Sequence, residues 1–295
     1  MPEDVRFPAR DGDALAGTLF PAERPRGTVV VASAMGVRRR LYARFAERLA
    51  GGGLTTLTFD YRGIGGSRRG PLRGFAAELH DWGELDLAGA IDWLAARHRD
   101  LPLQLVTHSV GGQIFGLIEE TPAVGAVFLA SQSGSWRLWR GLPRLGMFFV
   151  WHLAVPGLAR AFGYLPMRAI GQGEDLPAGV AREWAAWGRR DEYVWSYAGP
   201  RGGRGFRRWT GTLRAYAIAD DGYAPQRGVE ALAAMYSRAR VEVRTISPGD
   251  FGLRRIGHFG LFRPELGAAI WDEIDATLHA RLAELAGGEG TPSPG

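Results

Sequence analysis

The sequence contains no cysteine, and this absence excludes disulfide bonds, thiolate metal sites and cysteine nucleophiles. It also lacks lysine and asparagine, so all 36 of its basic residues are arginines. Both missing amino acids have codons rich in A and T, and a GC-rich genome is the simpler explanation. The net charge of +5 is therefore no sign of a nucleic-acid partner, since no recognisable nucleic-acid-binding motif is present.

The sequence also lacks the marks of secretion and of membrane insertion. Acidic residues come early in the opening MPEDVRFPARDGDALAGTLF, and the apolar stretch of a signal peptide does not follow them. No uninterrupted apolar run reaches the roughly 18 residues of a spanning helix. We therefore expect a cytoplasmic protein without membrane contact, and the sequence assigns no oligomeric state.

What the sequence does contain is enough apolar residues for a large core, since 46% of its 295 residues are hydrophobic. This length suits one large α/β domain with an insertion, or two small domains. Asp11-Gly12 is a turn signal between two short apolar segments and predicts a β-hairpin. Continuous apolar runs such as TVVVA at residues 28–32 are typical of strands that are buried on both faces of a parallel sheet.

Strands and helices then alternate along the chain. We predict strands at 28–32, 55–59, 103–107, 126–130, 213–217 and 241–246, and helices at 42–50, 85–97, 113–119, 226–236 and 265–285. Together with the hairpin, this alternation predicts an α/β fold with a doubly wound, mostly parallel sheet of eight strands.

The alternation is interrupted between residues 131 and 211. This stretch holds seven of the ten tryptophans and has little helical periodicity. We predict a core formed by residues 1–130 and 212–285, with an insertion at 131–211. Residues 286–295 are predicted to be a disordered tail, because they are rich in glycine, proline and serine.

The segment Thr107-His108-Ser109-Val110-Gly111-Gly112 carries the clearest chemical signal. It follows a predicted strand and opens a predicted helix, which is the context of a nucleophilic serine on a sharp turn. Such a turn strains the serine backbone and needs small residues two positions before and after it. Gly111 fits, whereas Thr107 stands where glycine is usual. The alternative is an ordinary strand–turn–helix connection with a chance serine.

A glycine-rich segment, Asp60-Tyr61-Arg62-Gly63-Ile64-Gly65-Gly66-Ser67, follows the strand predicted at 55–59. A phosphate-binding loop is the rival interpretation, but neither G-x-x-x-x-G-K-[ST] nor G-x-G-x-x-G is present. The segment resembles the D-x-R-G-x-G-x-S turn of the α/β-hydrolase family, where its role is mainly structural. The resemblance extends from Val5 to Leu285, except for the insertion.

Within that family, the chain is most similar to predicted bacterial hydrolases that resemble serine aminopeptidases and monoacylglycerol lipases. The segments that carry this similarity are SAMGV, DYRGIGGS, GEDLP with EWAAW, and GHFGLFR. The resemblance implies an α/β-hydrolase fold and a serine hydrolase activity, with the insertion as a lid over the active site. It does not specify the substrate.

The resemblance also implies which histidine is the general base. His258, in Ile256-Gly257-His258-Phe259-Gly260, comes shortly before the last predicted helix, where the family has its Gly-His segment. His108 is expected to point away from the serine that follows it. The remaining histidines are expected to be solvated or packed, namely His80, His98, His152 and His279.

By the same resemblance, the acid should follow the penultimate strand, where Asp220 and Asp221 lie. Asp221 is preferred because it lies four residues before Pro225, a spacing that family members often share. Asp220 stays as the alternative. The resulting order of Ser109, Asp221 and His258 is the chain order of α/β-hydrolases.

Two backbone N–H groups should bind the oxyanion of the reaction, and the loss of one such donor typically costs about 3 kcal/mol. One is expected to belong to Val110, directly after the nucleophile. Alignment of Ser33-Ala34-Met35-Gly36 with the family's His-Gly-x segment assigns the other to Met35. Because Ser33 replaces the customary histidine, we expect the support of this loop to differ.

These residues predict a serine hydrolase that cleaves a carboxylic ester, thioester or small amide through an acyl-enzyme. Esterase or lipase activity on a small-molecule acyl substrate is preferred over peptidase activity, and no metal or organic cofactor is implied. An acyltransferase with the same three residues is the first alternative. The second is a catalytically silent hydrolase fold that binds a small ligand or a protein.

The tryptophans of the insertion predict a groove for an acyl chain or an aromatic group. Trp136 and Trp139 are the first candidates for substrate contacts, because they lie nearest to the end of the sixth strand. The alternative is that the tryptophans only fasten the lid to the sheet. The apolar stretch at 145–162 is expected to pack within the lid rather than to contact a membrane.

Overall fold

The computed structural model describes residues 1–288, which fold around one sheet of eight strands. The strands are β1 (Glu3–Pro8), β2 (Ala14–Phe20), β3 (Gly27–Ala32), β4 (Leu54–Asp60), β5 (Leu103–His108), β6 (Ala123–Leu129), β7 (Tyr164–Leu165), β8 (Leu176–Pro177), β9 (Thr212–Ile218) and β10 (Arg240–Ile246). The order in the sheet is β1-β2-β4-β3-β5-β6-β9-β10, and β7 pairs with β8 separately. Strand β2 runs in the direction opposite to the other seven strands of this sheet. The predicted α/β fold with a mostly parallel sheet is confirmed.

Helices flank the sheet and connect its strands. They are α1 (Ala43–Gly51), α2 (Leu79–Asp81), α3 (Ala88–Arg97), α4 (Val110–Phe115), α5 (Gly141–Phe149), α6 (Val155–Phe162), α7 (Ala178–Gly188), α8 (Trp195–Ala198), α9 (Arg204–Arg208), α10 (Gln226–Ala233), α11 (Gly257–Gly260) and α12 (Pro264–Gly288). Two π-helical stretches, Trp82–Leu87 and Val150–Ala154, join α2 to α3 and α5 to α6.

The position of each strand in the sheet explains its sequence. The central strands β3 (GTVVVA) and β5 (LQLVTH) are buried at every residue, which requires apolar or hydrogen-bonded side chains on both faces. Strand β10 (RVEVRTI) forms an edge, and all of its residues except Ile246 are exposed. The arginine and glutamate side chains along β10 discourage pairing with another chain.

The glycine-rich turn after β4 is held together by the Asp60 carboxylate. This carboxylate accepts hydrogen bonds from the backbone N–H groups of Arg39 at 2.7 Å and Gly66 at 2.9 Å. A Cβ atom at Gly65 would lie 2.4 Å from Asp60 Oδ2, and the Gly65 φ of 47° is in the left-handed region. Glycine is therefore required at this position, and the motif builds a turn, as the resemblance implies.

Several predicted boundaries differ from those of the structure, and the helix predicted at 226–236 ends at Ala233. The helix predicted at 113–119 is α4, which begins at Val110 and ends at Phe115. Beyond Phe115, the Leu117 and Ile118 N–H groups bond three residues back instead of four, and the Gly116 carbonyl accepts the Phe206 N–H. At the other end of the chain, residues 286–288 belong to α12 instead of the predicted tail. Residues 289–295 lie outside the described part of the chain.

The residues between β6 and β9 form the helices α5 to α9 and the β7–β8 pair. Two tryptophans fasten them through indole hydrogen bonds, one within this region and one to strand β6. Trp151 Nε1 donates to the Gly134 carbonyl at 2.9 Å, and Trp209 Nε1 donates to the Ala123 carbonyl at 2.7 Å. Both side chains are buried. These contacts favour a fastening role for these two tryptophans.

One continuous helical stretch of this region, Gly141–Phe162, is long and apolar enough to cross a membrane. The search for uninterrupted apolar runs in the sequence does not detect it, because polar residues interrupt the stretch. Only 17% of its apolar window is buried. Trp151, Val155 and Ala159 pack into the fold, as expected for the stretch at 145–162. The expectation is wrong for the opposite face, where Phe149 and Leu153 are exposed.

Candidate active site

Ser109 lies between the end of β5 and the start of α4, with φ 52° and ψ −112°. A positive φ is unusual and costly for a residue other than glycine, and such strain is concentrated at functional sites. The serine is nearly buried, with 8% of its surface exposed. The strained turn that the sequence predicted is therefore present.

Two glycines create the space that this turn requires. A Cβ at Gly111 would lie 2.6 Å from the Ala32 carbonyl oxygen, so α4 could not approach β3 as closely with any larger residue. A Cβ at Gly112 would lie 2.6 Å from the Ser131 side chain and 2.9 Å from Thr107 Oγ1. The threonine that replaces the usual glycine is thus accommodated by Gly112. Its hydroxyl lies 3.1 Å from Ser131 Oγ in a buried hydrogen bond.

Asp221 and His258 are brought together from different loops. Asp221 Oδ2 lies 2.6 Å from His258 Nδ1, and both side chains are buried. The other carboxylate oxygen of Asp221 accepts the backbone N–H groups of Tyr223 at 2.8 Å and Ala224 at 3.1 Å. These three contacts fix the carboxylate and orient the histidine ring, so that Nε2 is left to accept a proton.

The neighbouring aspartate makes different contacts. Asp220 accepts the backbone N–H groups of Ile256 at 2.9 Å and Gly257 at 3.0 Å. It therefore braces the backbone of the loop that carries His258, while Asp221 contacts the imidazole. Adjacent residues in a turn point in different directions, which is why spacing alone left the choice between Asp220 and Asp221 open.

His108 links the serine turn to the histidine loop. Its Nε2 lies 2.9 Å from the His258 carbonyl oxygen, and the two imidazole centroids are 4.9 Å apart. His108 is fully buried, and the sequence analysis left its partners unassigned. Within residues 1–288, the Ser109 hydroxyl and the His258 ring do not hydrogen-bond to each other; catalytic contacts of this kind often tighten only when substrate is bound.

Tyr42 supports the loop after β3 in place of the missing histidine. Its hydroxyl accepts the Ala34 N–H at 2.8 Å and lies 3.0 Å from His108 Nδ1. The Ser33 hydroxyl donates to the Phe59 carbonyl at 3.3 Å. The sequence does not indicate this role of Tyr42, because its only signal is a position at the start of a predicted helix.

Val110 and Met35, the two predicted oxyanion donors, lie on different elements. Val110 is the first residue of α4, and Met35 lies in the loop after β3. Both residues are buried, yet within residues 1–288 neither backbone N–H donates a hydrogen bond. Buried backbone N–H groups are almost always paired, so these two unpaired donors are unusual.

The two predicted substrate-contact tryptophans occupy different environments. Trp139 is buried, and its indole N–H donates to the Gly222 carbonyl at 3.0 Å, next to Asp221. The Trp136 ring packs against Phe148, with ring centroids 5.1 Å apart. Trp139 therefore adjoins the loop that carries Asp221, whereas Trp136 lies at the surface of the insertion.

A cleft of about 590 Å³ opens beside the histidine loop. Its walls include Gly36 from the oxyanion loop, together with Tyr223 and Phe259. The rings of Tyr223 and Phe259 lie 5.4 Å and 5.0 Å from the His258 ring. Charged side chains, among them Arg38, Arg40 and Glu174, form other parts of its wall, and neither Ser109 nor His258 lines it. Residues 1–288 contain no cluster of three or more side chains suited to hold a metal ion.

Comparisons with known proteins agree with this architecture. The family model for serine aminopeptidases of family S33 matches residues 23–160. Among solved structures, a soluble variant of monoglyceride lipase from Saccharomyces cerevisiae, in complex with a substrate analog, superposes with a TM-score of 0.68 at 15% identity, covering 95% of both chains. A search of curated proteins finds no match.

Two bacterial esterases are similar in the same way. A thermostable carboxyl esterase from Bacillus coagulans, in complex with glycerol, has a TM-score of 0.60 at 14% identity, covering 95% of this chain and 99% of the esterase. An esterase from Exiguobacterium antarcticum has a TM-score of 0.59 at 17% identity, covering 95% and 100%. These similarities, at 14–17% identity, show that the chain has the α/β-hydrolase fold.

Proposed function

We propose that this chain is a serine hydrolase that cleaves a carboxylic ester, thioester or small amide through an acyl-enzyme. Ser109 is the nucleophile, His258 is the general base and Asp221 orients the base. The observation that carries the proposal is the 2.6 Å hydrogen bond between Asp221 and His258, beside a serine whose φ is 52°. A fold that only binds ligands has no need for this combination of a strained serine and an oriented histidine.

The proposed reaction has two steps. Ser109 Oγ forms a bond to the acyl carbon while its proton passes to His258 Nε2, and that proton then reaches the leaving group as its bond to the acyl carbon breaks. Water next attacks the acyl carbon and gives a proton to His258, which returns it to Ser109 Oγ as the acid is released. The N–H groups of Met35 and Val110 stabilise the oxyanion in both steps.

Esters are the proposed substrate class. The names of the similar structures, a monoglyceride lipase and two esterases, support this choice. The family model carries the name of an aminopeptidase, so small amides belong in the test. We further propose that residues 131–211 act as a lid on the core, and that Trp139 contacts the substrate because it adjoins the loop of Asp221.

The experiment is a panel of p-nitrophenyl esters of rising acyl length, with aminoacyl p-nitroanilides beside it. If the lid forms an acyl groove, the burial of each added methylene stabilises the bound state by about 0.8 kcal/mol. The value of kcat/KM should therefore rise about three- to fourfold per methylene until the groove is full. Folded wild-type protein that cleaves no member of the panel, or a Ser109→Ala variant that keeps the wild-type rate, would overturn the proposal.

Trp139→Ala and Trp136→Ala form a matched pair for the lid. With Trp139 in the groove, its replacement should flatten the rise with chain length more than it lowers the rate on acetyl esters. Trp136→Ala should have the smaller effect, because the Trp136 ring packs against Phe148 on the exposed helix α5. If both tryptophans only fasten the lid, the rates on all chain lengths should fall together, in step with thermal stability.

A further inference from the structure

One face of the helical stretch Gly141–Phe162 is both apolar and exposed. Eight of the twelve large apolar side chains that are exposed within residues 1–288 lie between residues 142 and 170. Leu142, Leu145, Phe149 and Leu153 follow one another at intervals of three or four residues, so they lie along one side of the helix. We call these four residues the apolar lid face. An exposed apolar patch of this kind marks an interaction site.

The opposite side of the same helix is fixed to the rest of the protein. Trp151 and Ala159 are 2% and 1% exposed. The Trp151 indole donates to the Gly134 carbonyl at 2.9 Å, and its own carbonyl accepts Arg189 at 3.1 Å. The helix therefore lies along the protein surface. To cross a bilayer, it would have to give up this buried face and these hydrogen bonds.

The helical stretch that carries the apolar lid face has charged residues of a single sign. Residues 141–162 contain no aspartate or glutamate. Arg140, Arg144 and Arg160 belong to this stretch or adjoin it, and within the described chain none of them forms an ion pair. The Arg144 guanidinium instead lies 4.8 Å from the centroid of the Trp136 ring. Arg140 lies directly before the helix, and Arg160 follows Leu153 by seven residues and so lies on the same side. These two positive charges thus flank the apolar lid face.

We infer that the apolar lid face docks on the surface of an anionic lipid bilayer. A helix that lies in the interface plane buries apolar side chains at the headgroup boundary while arginines at its border attract anionic lipids. A second copy of this chain fits less well. A symmetric dimer places the same patch on both subunits, so the arginines of one copy would face those of the other without a carboxylate between them.

The test is flotation of the full-length protein with vesicles of phosphatidylcholine alone and of phosphatidylcholine with about 30 mol% phosphatidylglycerol. The protein should float with the anionic vesicles, float less with the neutral ones, and be released from the anionic ones as salt rises, because screening weakens the attraction of the arginines. Light scattering of the lipid-free protein should give the mass of a monomer.

Variants separate the apolar and the charged contributions. Leu145→Glu and Phe149→Glu should each weaken vesicle binding at least tenfold, and both sites are exposed enough to tolerate the change. Ala268→Glu, which adds the same charge at an exposed site of α12, is the matched control and should bind as the wild type does. Arg140→Gln and Arg160→Gln should each weaken binding to anionic vesicles about fivefold and leave binding to neutral vesicles unchanged.

This inference stands apart from the proposed catalysis. Leu145→Glu and Phe149→Glu should hydrolyse a soluble acetyl ester at the wild-type rate, so a loss of vesicle binding and a loss of activity are separate results. Wild-type protein that stays with neither kind of vesicle would overturn the inference. So would vesicle binding that both glutamate variants retain in full. A dimer that Leu145→Glu dissociates would assign the face to a second copy and overturn it as well.

Discussion

The Tyr42 hydroxyl lies 3.0 Å from Nδ1 of His108, and this contact joins the two halves of the candidate site. The same hydroxyl accepts the Ala34 N–H, and His108 Nε2 reaches the His258 carbonyl. Because a backbone N–H can only donate and a carbonyl can only accept, the direction of every bond in this series is fixed. Tyr42 donates to Nδ1, and His108 carries its proton on Nε2.

Tyr42→Phe should therefore impair catalysis through position. The variant loses the support of the Ala34 N–H next to Met35 and the bond to His108, while its ring still fills the core. We expect kcat to fall about tenfold with little change in KM, less than the 10²- to 10³-fold cost of removing an oxyanion donor itself. Steady-state kinetics on a soluble ester check this.

Tyr216→Phe is the control, because the Tyr216 hydroxyl bonds to Thr277 on α12. It should lose a similar amount of stability, on the order of 1 kcal/mol, and keep its kcat. Equal kcat values for Tyr42→Phe and the wild type would show that the loop needs no such support.

His108 should make the fold sensitive to acid. Burial, reinforced by the nearby His258, holds the pKa of His108 well below its ordinary value, so the folded protein keeps it neutral. The unfolded chain binds a proton there below about pH 6.5. The contribution of His108 to the free energy of unfolding is therefore fully present above that pH. It is lost as the pH falls below it, by up to about 1.4 kcal/mol per pH unit.

His108→Gln keeps one donor and one acceptor without the titration. Urea unfolding at a series of pH values should give a shallower loss of stability between about pH 6.5 and pH 5 for the variant than for the wild type. Parallel pH profiles for the two proteins would contradict the assignment of a buried, neutral His108.

The adjacent aspartates should have separable effects. Asp221→Asn removes the charge that orients His258 and favours the wrong tautomer, so kcat should fall on the order of a thousandfold or more. Asp220 accepts the Ile256 and Gly257 N–H groups on different carboxylate oxygens, so Asp220→Asn keeps an acceptor for only one of them. Because it leaves the contact between Asp221 and His258 in place, its loss of kcat should be tens of fold at most, with a lower melting temperature. A larger kcat loss for Asp220→Asn would exchange the two roles.

Gly111→Ala should disturb the serine turn. The added methyl group would meet the Ala32 backbone at 2.6 Å, and such overpacking costs about 1–3 kcal/mol. We expect lower thermal stability together with a loss of activity, as α4 moves away from β3. Gly51→Ala, at the end of α1 with open space around its Cβ position, should change neither property by much.

The sequence predicted the parts of the site that depend on local order along the chain. Ser109 between a buried strand and a helix, and Asp60 before a glycine-rich turn, are each recognisable within a few residues. The buried strands could be predicted equally well, because residues that are buried on both faces of a sheet form continuous apolar runs.

The parts that depend on distant contacts could not be predicted. The Tyr42–His108 bond joins positions 66 residues apart, and nothing in the local pattern of either residue indicates it. The exposed side of Gly141–Phe162 was missed for a related reason. Periodicity reveals an apolar helix face, but whether a partner covers that face is decided by the tertiary fold.

The most direct measurement of the central claim is the site at which a fluorophosphonate probe attaches. Peptide mass spectrometry of the labelled protein should find a single phosphonylated residue, Ser109. Ser109→Ala should take up no label, and His258→Ala should be labelled far more slowly because the serine has lost its base. Label on another residue, or labelling of Ser109→Ala at the wild-type rate, would contradict the assignment of Ser109 as the nucleophile.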